Sequence, residues 1–192
     1  MEWQIPIQKV EIVNINIGSP WARERREYSQ KALAPLSYFG TQFRLPFVSL
    51  LFPPLPVIEY NPLSGKLSLD MSETSLATIK LTTLQETLIN SIIYHQYAWF
   101  KSNYSKEDVK NGFQPIIEGN TLILHCPNRG IPIYKDGDWV KNSNVELRAG
   151  MRIRVAVKIH GISFLNRNEQ RDIEWTGRSR IQHRIQGIIV QG

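Results

Sequence analysis

Four histidines and one cysteine are the first places to look for chemistry in this chain. His95, His125, His160 and His183 stand at no metal-ligand spacing. His125 and Cys126 are adjacent, and adjacent residues of a strand point to opposite faces, which argues against joint ligation. Cys126 before Pro127 reads as a small buried hydrophobe, and His183 as a satisfied core histidine. The segment "NPLSGK" lacks the glycine spacing and the Lys-Ser/Thr ending of a phosphate loop. The carboxylates form no convincing acid/base pair. The expectation is a protein that is not an enzyme and needs no cofactor or metal.

The arginines are a different matter. "MRIRVAVKIH" (151–160) alternates, with Met151, Ile153, Val155, Val157 and Ile159 on one side and Arg152, Arg154, Lys158 and His160 on the other. "RSRIQHRIQ" near the end repeats the pattern with Arg178, Arg180 and Arg184. If the two stretches pair as antiparallel strands, period-2 alternation collects seven cationic or potentially cationic residues on one face, over a small area. Like charges opposite one another destabilise a hairpin, so such a face calls for an anion. Phosphates fit, because neutralising them releases condensed counterions, and arginine adds bidentate contacts and stacking. Basic strands that guard a sheet edge, or arginine stems that cover apolar surface, are the competing explanation. Aromatic rings are the second ingredient of single-strand binding, and Tyr134, Trp139, Phe164 and Trp175 lie in or beside these strands. Tyr94, Tyr97, Trp99 and Phe100 read mostly as helix packing.

Charge placement agrees. The chain has 192 residues and a net charge of +6. Residues 1–147 carry 14 basic and 14 acidic side chains, whereas 148–192 carry nine basic residues against Glu169, Asp172 and Glu174. The whole excess sits in the last quarter, which points to a local electropositive surface. The apolar fraction, 42%, supports a sizeable core. A single cysteine permits no internal disulfide and fits a reducing compartment. The absence of an eighteen-residue apolar run or a basic-apolar leader leads to the expectation of a soluble, intracellular protein without a membrane partner.

The elements that must position these residues are mainly strands. "WQIPIQKVEIVNINI" (3–17), "FRLPFVSLLF" (43–52), "TLILHC" (121–126), 151–165 and 175–190 read as strands. "IPIY" reads as a further short strand, turning at 135–138. Residues 19–35 read as an exposed loop or short helix. "VIEY" and "KLSLD" flank a hairpin loop at 61–65. Leu81, Leu84, Leu88, Ile92 and Trp99 recur at helical spacing, with Thr83 and Glu86 as a candidate capping box at the start and an end near Lys101. Ser105 and Asp108 predict a second short helix closing near Gly112. The class is a β-rich α+β fold with one long helix. Residues 1–35 are expected to form an N-terminal extension and 36–192 one compact unit.

"LRAGMRIRVAVKIHGISFL" with "EWTGRSRIQHRIQGIIV", and upstream "LPFVSLLFPPLPVIEYNPLSGKLSLDMSE" with "LQETLINSIIYHQYAWF", resemble the OB-fold single-stranded-DNA-binding proteins of large eukaryotic DNA viruses, related in fold to a bacteriophage protein of the same activity. The resemblance covers roughly residues 36–190. It implies a partly open five-stranded barrel that binds one DNA strand in viral replication, recombination or repair. On the matching strands it assigns binding to Arg154, Lys158, Trp175, Arg178, Arg180 and Arg184. It implies a site of viral replication in host cytoplasm or nucleus, and replication proteins or further copies of the chain as candidate partners. The phage relatives end in an acidic tail that recruits enzymes; this sequence ends Gly-Ile-Ile-Val-Gln-Gly, which leaves recruitment open. Two other readings stand beside it: a β-rich viral structural or assembly protein with a basic interface, and an RNA-binding OB module.

Overall fold

The two long C-terminal strands organise everything else in this computed structural model, which describes residues 4–22, 31–41, 43–126, 132–135, 138–141, 147–166 and 173–190. Seven strands carry the architecture: β1 (Lys31–Phe39), β2 (Val48–Leu51), β3 (Leu55–Asn61), β4 (Lys66–Asp70), β5 (Thr121–His125), β6 (Arg152–Asn166) and β7 (Trp175–Val190). Strands dominate the described residues, with one long helix, α1 (Ser75–Phe100), and a short one, α2 (Lys106–Gly112), among them. The β-rich α+β class is thus what the sequence patterning predicts.

The central path runs β5-β4-β3-β6-β7. Every neighbouring pair on it is antiparallel. β6 lies in the middle: β7 lines one of its edges, while β1, β2 and β3 share the other, opposite 161–165, 156–159 and 152–153. Pro46 and Phe47 separate β2 from the two-residue strand Arg44–Leu45, and Pro53 and Pro54 separate it from β3. The short strands Pro132–Lys135 and Asp138–Lys141 continue the sheet beyond β7.

The sheet does not close into a continuous ladder. Among the described residues, β5 comes back against β7 through the His125 amide, which donates to His183 Nε2 at 3.0 Å. Segment 113–118 spans the remaining gap. Its first strand, Phe113–Gln114, runs parallel to β7, and its second, Ile117–Glu118, pairs with β5. Gln85 of α1 holds this bridge: its Oε1 accepts from the Ile116 amide at 2.9 Å, and its Nε2 donates to the Ile117 carbonyl at 3.4 Å.

α1 buries Leu81, Leu84, Leu88 and Ile92, the stripe expected from their spacing. It begins earlier than the sequence predicts, at Ser75 after Thr74, so Thr83 and Glu86 lie inside it and do not cap it. The apolar spacing fixed the buried face but not the first turn, because Leu76 and Ile79 stand off that stripe and are exposed. Lys101, at φ 55°, ends the helix in the left-handed conformation. Gln96, buried at the last turn, donates from Nε2 to the Tyr104 carbonyl and accepts the Tyr104 amide on Oε1. α2 does carry the predicted capping box: Ser105 Oγ accepts from the Asp108 amide at 3.1 Å, and Asp108 accepts from the Ser105 amide at 3.2 Å.

Two N-terminal expectations need correction. Residues 3–17 are not one strand: two 3-10 turns, Ile7–Lys9 and Ile12–Asn14, interrupt short strands at Ile5–Pro6 and Ile15–Ile17. Within 19–35, Trp21–Ala22 and the start of β1 are strand, and 23–30 lie outside the described residues. The boundary drawn at residue 35 falls inside β1. Ile5, Ile7, Val10, Ala32 and Ala34 belong to the same buried cluster as Val155, Ile159 and Ile188.

Candidate nucleic-acid interface

β6 and β7 pair over nearly their whole length, and the register decides which side chains share a face. Lys158 stands opposite Arg184, Arg154 opposite Ile189, and Ser163 opposite Arg180. Directly opposed residues of an antiparallel pair share one face. Alternation therefore places Arg154, Lys158, Arg180 and Arg184 together, away from Ile153, Val155, Val157 and Ile159, which are fully buried on the other side. Arg178 joins them at the far end, lining one cleft with Arg180.

Three register shifts interrupt the pair, at Ala156/Val157, at Ile159/Gly161 and, toward the Arg178 end, at Phe164/Asn166, and the first two adjust this face. Ala156 and Val157 pair with Gly187 and Ile185, leaving Gln186 as the extra residue of β7. Gln186 bonds instead to Ser49 of β2. Ile159 and Gly161 pair with His183 and Gln182, leaving His160 as the extra residue of β6. His160 therefore does not continue the cationic alternation predicted for it. Beyond the bulge the phase of β6 reverses, so Ser163 and Leu165 take the basic face while Ile162 and Phe164 keep to the core.

The predicted residues differ in their surroundings. Arg152 is exposed but committed: it donates to Glu73 Oε2 at 2.9 Å and to the Pro54 carbonyl at 3.3 Å. Arg154 reaches the Phe52 carbonyl through Nε at 3.5 Å. The Lys158 ammonium lies 3.9 Å from the centre of the Phe47 ring, a cation–π contact. Arg178 and Arg184 are exposed and Arg180 is half-buried, and none of the three has a carboxylate partner among the described residues. The expectation of one compact cluster is also corrected. Arg154 and the partner of Arg180 are nine positions apart on β6, and at strand rise the basic face is a stripe about 30 Å long.

Trp175 was expected beside this stripe as a stacking platform. It is 3% exposed and packs against Phe100, Phe164 and Tyr104, with Nε1 donating to the Arg178 carbonyl at 2.8 Å. It offers no free ring face, and Phe164 is fully buried as well. Its indole fixes the backbone turn that presents Arg178. The side chain of Trp139 lies outside the described residues. Among the described residues the most exposed rings are on α1, Tyr94 at 81% and Tyr97 at 66%, where helix packing was expected, and Trp21, Phe39 and Phe43 are exposed to a lesser degree.

The seam between β5 and β7 is electropositive. His183 accepts the His125 amide on Nε2, so Nδ1 carries the proton and donates to the Ile181 carbonyl at 3.3 Å. The histidine is satisfied and neutral, as its place on the apolar face predicts. Burial lowers its pKa to about 4, and His125, Arg180 and His160 push in the same direction. The His125 pKa is lowered by burial, then by Arg180 and Lys66. Cys126 is buried, and burial alone pushes its thiol up to about 12, out of the nucleophile range. Among the described residues, no three His, Cys, Asp or Glu side chains gather to hold a metal, and no helix is long and apolar enough to cross a membrane.

Gln85, Gln114 and Gly112 position the end of the stripe; sequence reasoning passed over the two glutamines and read Gly112 only as the close of α2. A Cβ on Gly112 would sit 2.1 Å from the Gly177 carbonyl oxygen, so only glycine lets the end of α2 approach the turn that carries Arg178. No signal in one sequence marks such a contact, because its two sides are far apart in the chain. No known protein family, curated protein or solved structure matches this chain.

Proposed function

We propose that this protein binds single-stranded DNA without strong sequence preference, along the basic face of β6 and β7, and is not an enzyme. The observation that carries the reading is the register that brings Arg154, Lys158, Arg180 and Arg184 to one face of a paired ribbon, opposite the core. Like charges at Lys158 and Arg184 stand directly across from one another, an arrangement that a phosphate backbone would relieve. The five-strand path with a gap between β5 and β7 is consistent with a partly open barrel of the OB type. A stripe about 30 Å long suits an extended polymer better than a small ligand. In this reading Arg154, Lys158, Arg178, Arg180 and Arg184 make the phosphate contacts. On the same reading the activity serves viral replication, recombination or repair, as the resemblance implies.

The test is fluorescence anisotropy of labelled oligo-dT titrated with the full chain at several salt concentrations. Binding that weakens steeply and linearly in log-log form supports the reading, and no binding at low salt ends it. Competition with oligo-rU of the same length separates DNA from RNA, since a 2′-hydroxyl contact would favour RNA. A shallow salt response with concentration-dependent self-association would indicate a structural subunit instead.

A further inference from the structure

At the α2 end of the basic stripe, a cavity of about 230 Å³ opens between β6, β7 and segment 112–114. Its walls are unlike in chemistry. Leu165 and Gly112 line it with the polar Gln114 and Ser163 and with the cationic Arg178 and Arg180. Apolar surface with a few convergent polar groups is the usual composition of a small-ligand site, and guanidinium groups at its edge select an anion. The cavity exists because two structural details leave it open. Gly112 has no Cβ, so α2 can approach the Gly177 backbone, and the His160 bulge turns Ser163 and Leu165 to the basic face. Gln114 is exposed and directly opposite Arg180 in the parallel pairing, where its amide could both donate to and accept from a heterocycle.

We propose that this cleft holds one nucleotide unit, its base against Leu165 and Gly112 and its phosphate on Arg178 and Arg180. This rests on the proposed strand-binding face and deepens it, because it supplies the base contact that the buried Trp175 does not. The chemistry is the same for a free mononucleotide and for one unit of a strand, and the two sources are told apart by the ligand used.

The full chain is titrated with thymidine 5′-monophosphate, with inorganic phosphate and with oligo-dT, while methyl and amide NMR signals are followed. The mononucleotide should shift the Leu165 methyls and the Gly112 and Arg178 amides, whereas phosphate should move Arg178 and leave Leu165 in place. Leu165→Trp, which fills the cleft, should weaken oligo-dT binding about tenfold, the loss of one stacked base, with the thermal midpoint unchanged. Leu165→Phe serves the same purpose if the larger ring destabilises the fold. Oligo-dT binding equally well to the filled variants, with Leu165 unmoved by the mononucleotide, would overturn the cleft and leave the strand-binding face standing. A mononucleotide response without oligo-dT binding would keep the cleft and remove the strand reading; no response to either ligand removes both.

Discussion

Among the arginines of the basic face, equal charge does not mean equal readiness for a phosphate. Arg180 has no carboxylate partner among the described residues, while Arg152 is bound to Glu73 at 2.9 Å. Arg180→Ala should lower the slope of log affinity against log salt by about 0.7 to 1, the share of one phosphate contact, and Arg154→Ala should do the same. Arg152→Ala should change it by less than half as much, because Glu73 already neutralises that guanidinium. Equal slopes for the Arg152 and Arg180 variants would refute this ranking. Ser179 gives a second prediction at this scale. Its Oγ is buried beside Phe164 without a hydrogen-bond partner among the described residues. An unmet buried hydroxyl costs about 1–3 kcal/mol, so Ser179→Ala should raise stability by about 1 kcal/mol in urea unfolding.

Paired elements carry the next predictions. The seam of β5 and β7 depends on neutral His183, whose folded pKa of about 4 lies below its ordinary value of 6.5. The unfolded chain therefore takes up the proton first on acidification. The seam contributes its full stability above pH 6.5 and loses it as pH falls toward 4, by about 2 kcal/mol once solvent screening is allowed for. His125, lowered in the same sense, adds to the loss. The urea midpoint followed across this range should fall for the wild type and be flatter for His183→Gln. The hairpin of β3 and β4 has a different constraint. Gly65 adopts φ 70°, and a Cβ there would lie 2.4 Å from the Cys126 carbonyl oxygen. Asn61 Oδ1 accepts from the Leu63 and Ser64 amides and fixes the turn around it. Gly65→Ala should destabilise by about 2 kcal/mol or more, read as a lower thermal midpoint, since both the backbone and the neighbour resist it.

At the scale of the whole molecule, one buried cluster joins the N-terminal residues to the C-terminal ribbon, with Ile7, Val10 and Ala34 as fully buried as Val157 and Ile188. Removing residues 1–35 should therefore cost cooperative folding rather than trim an appendage, and a sharp, unshifted melt of the truncated chain would contradict this. Residues 3–17 read as a strand because Ile and Val alternate there with polar residues. In the fold the first 3-10 turn buries Ile7, whereas the second buries none and leaves Val13 exposed, a difference that period alone does not carry.

Periodicity in the chain was enough to determine the two long strands, the buried stripe of α1, the capping box of α2 and the hairpin at 61–65, because each depends on neighbours within a few residues. It was also enough to put the whole charge excess in one ribbon. Tertiary structure alone decided which of those charges are usable. Glu73, distant in sequence, neutralises Arg152, whereas the Phe52 carbonyl and the Phe47 ring orient Arg154 and Lys158 without cancelling their charge, and the core closes over Trp175. It also decided the His160 bulge, since an extra residue in one strand shows only against the register of its partner.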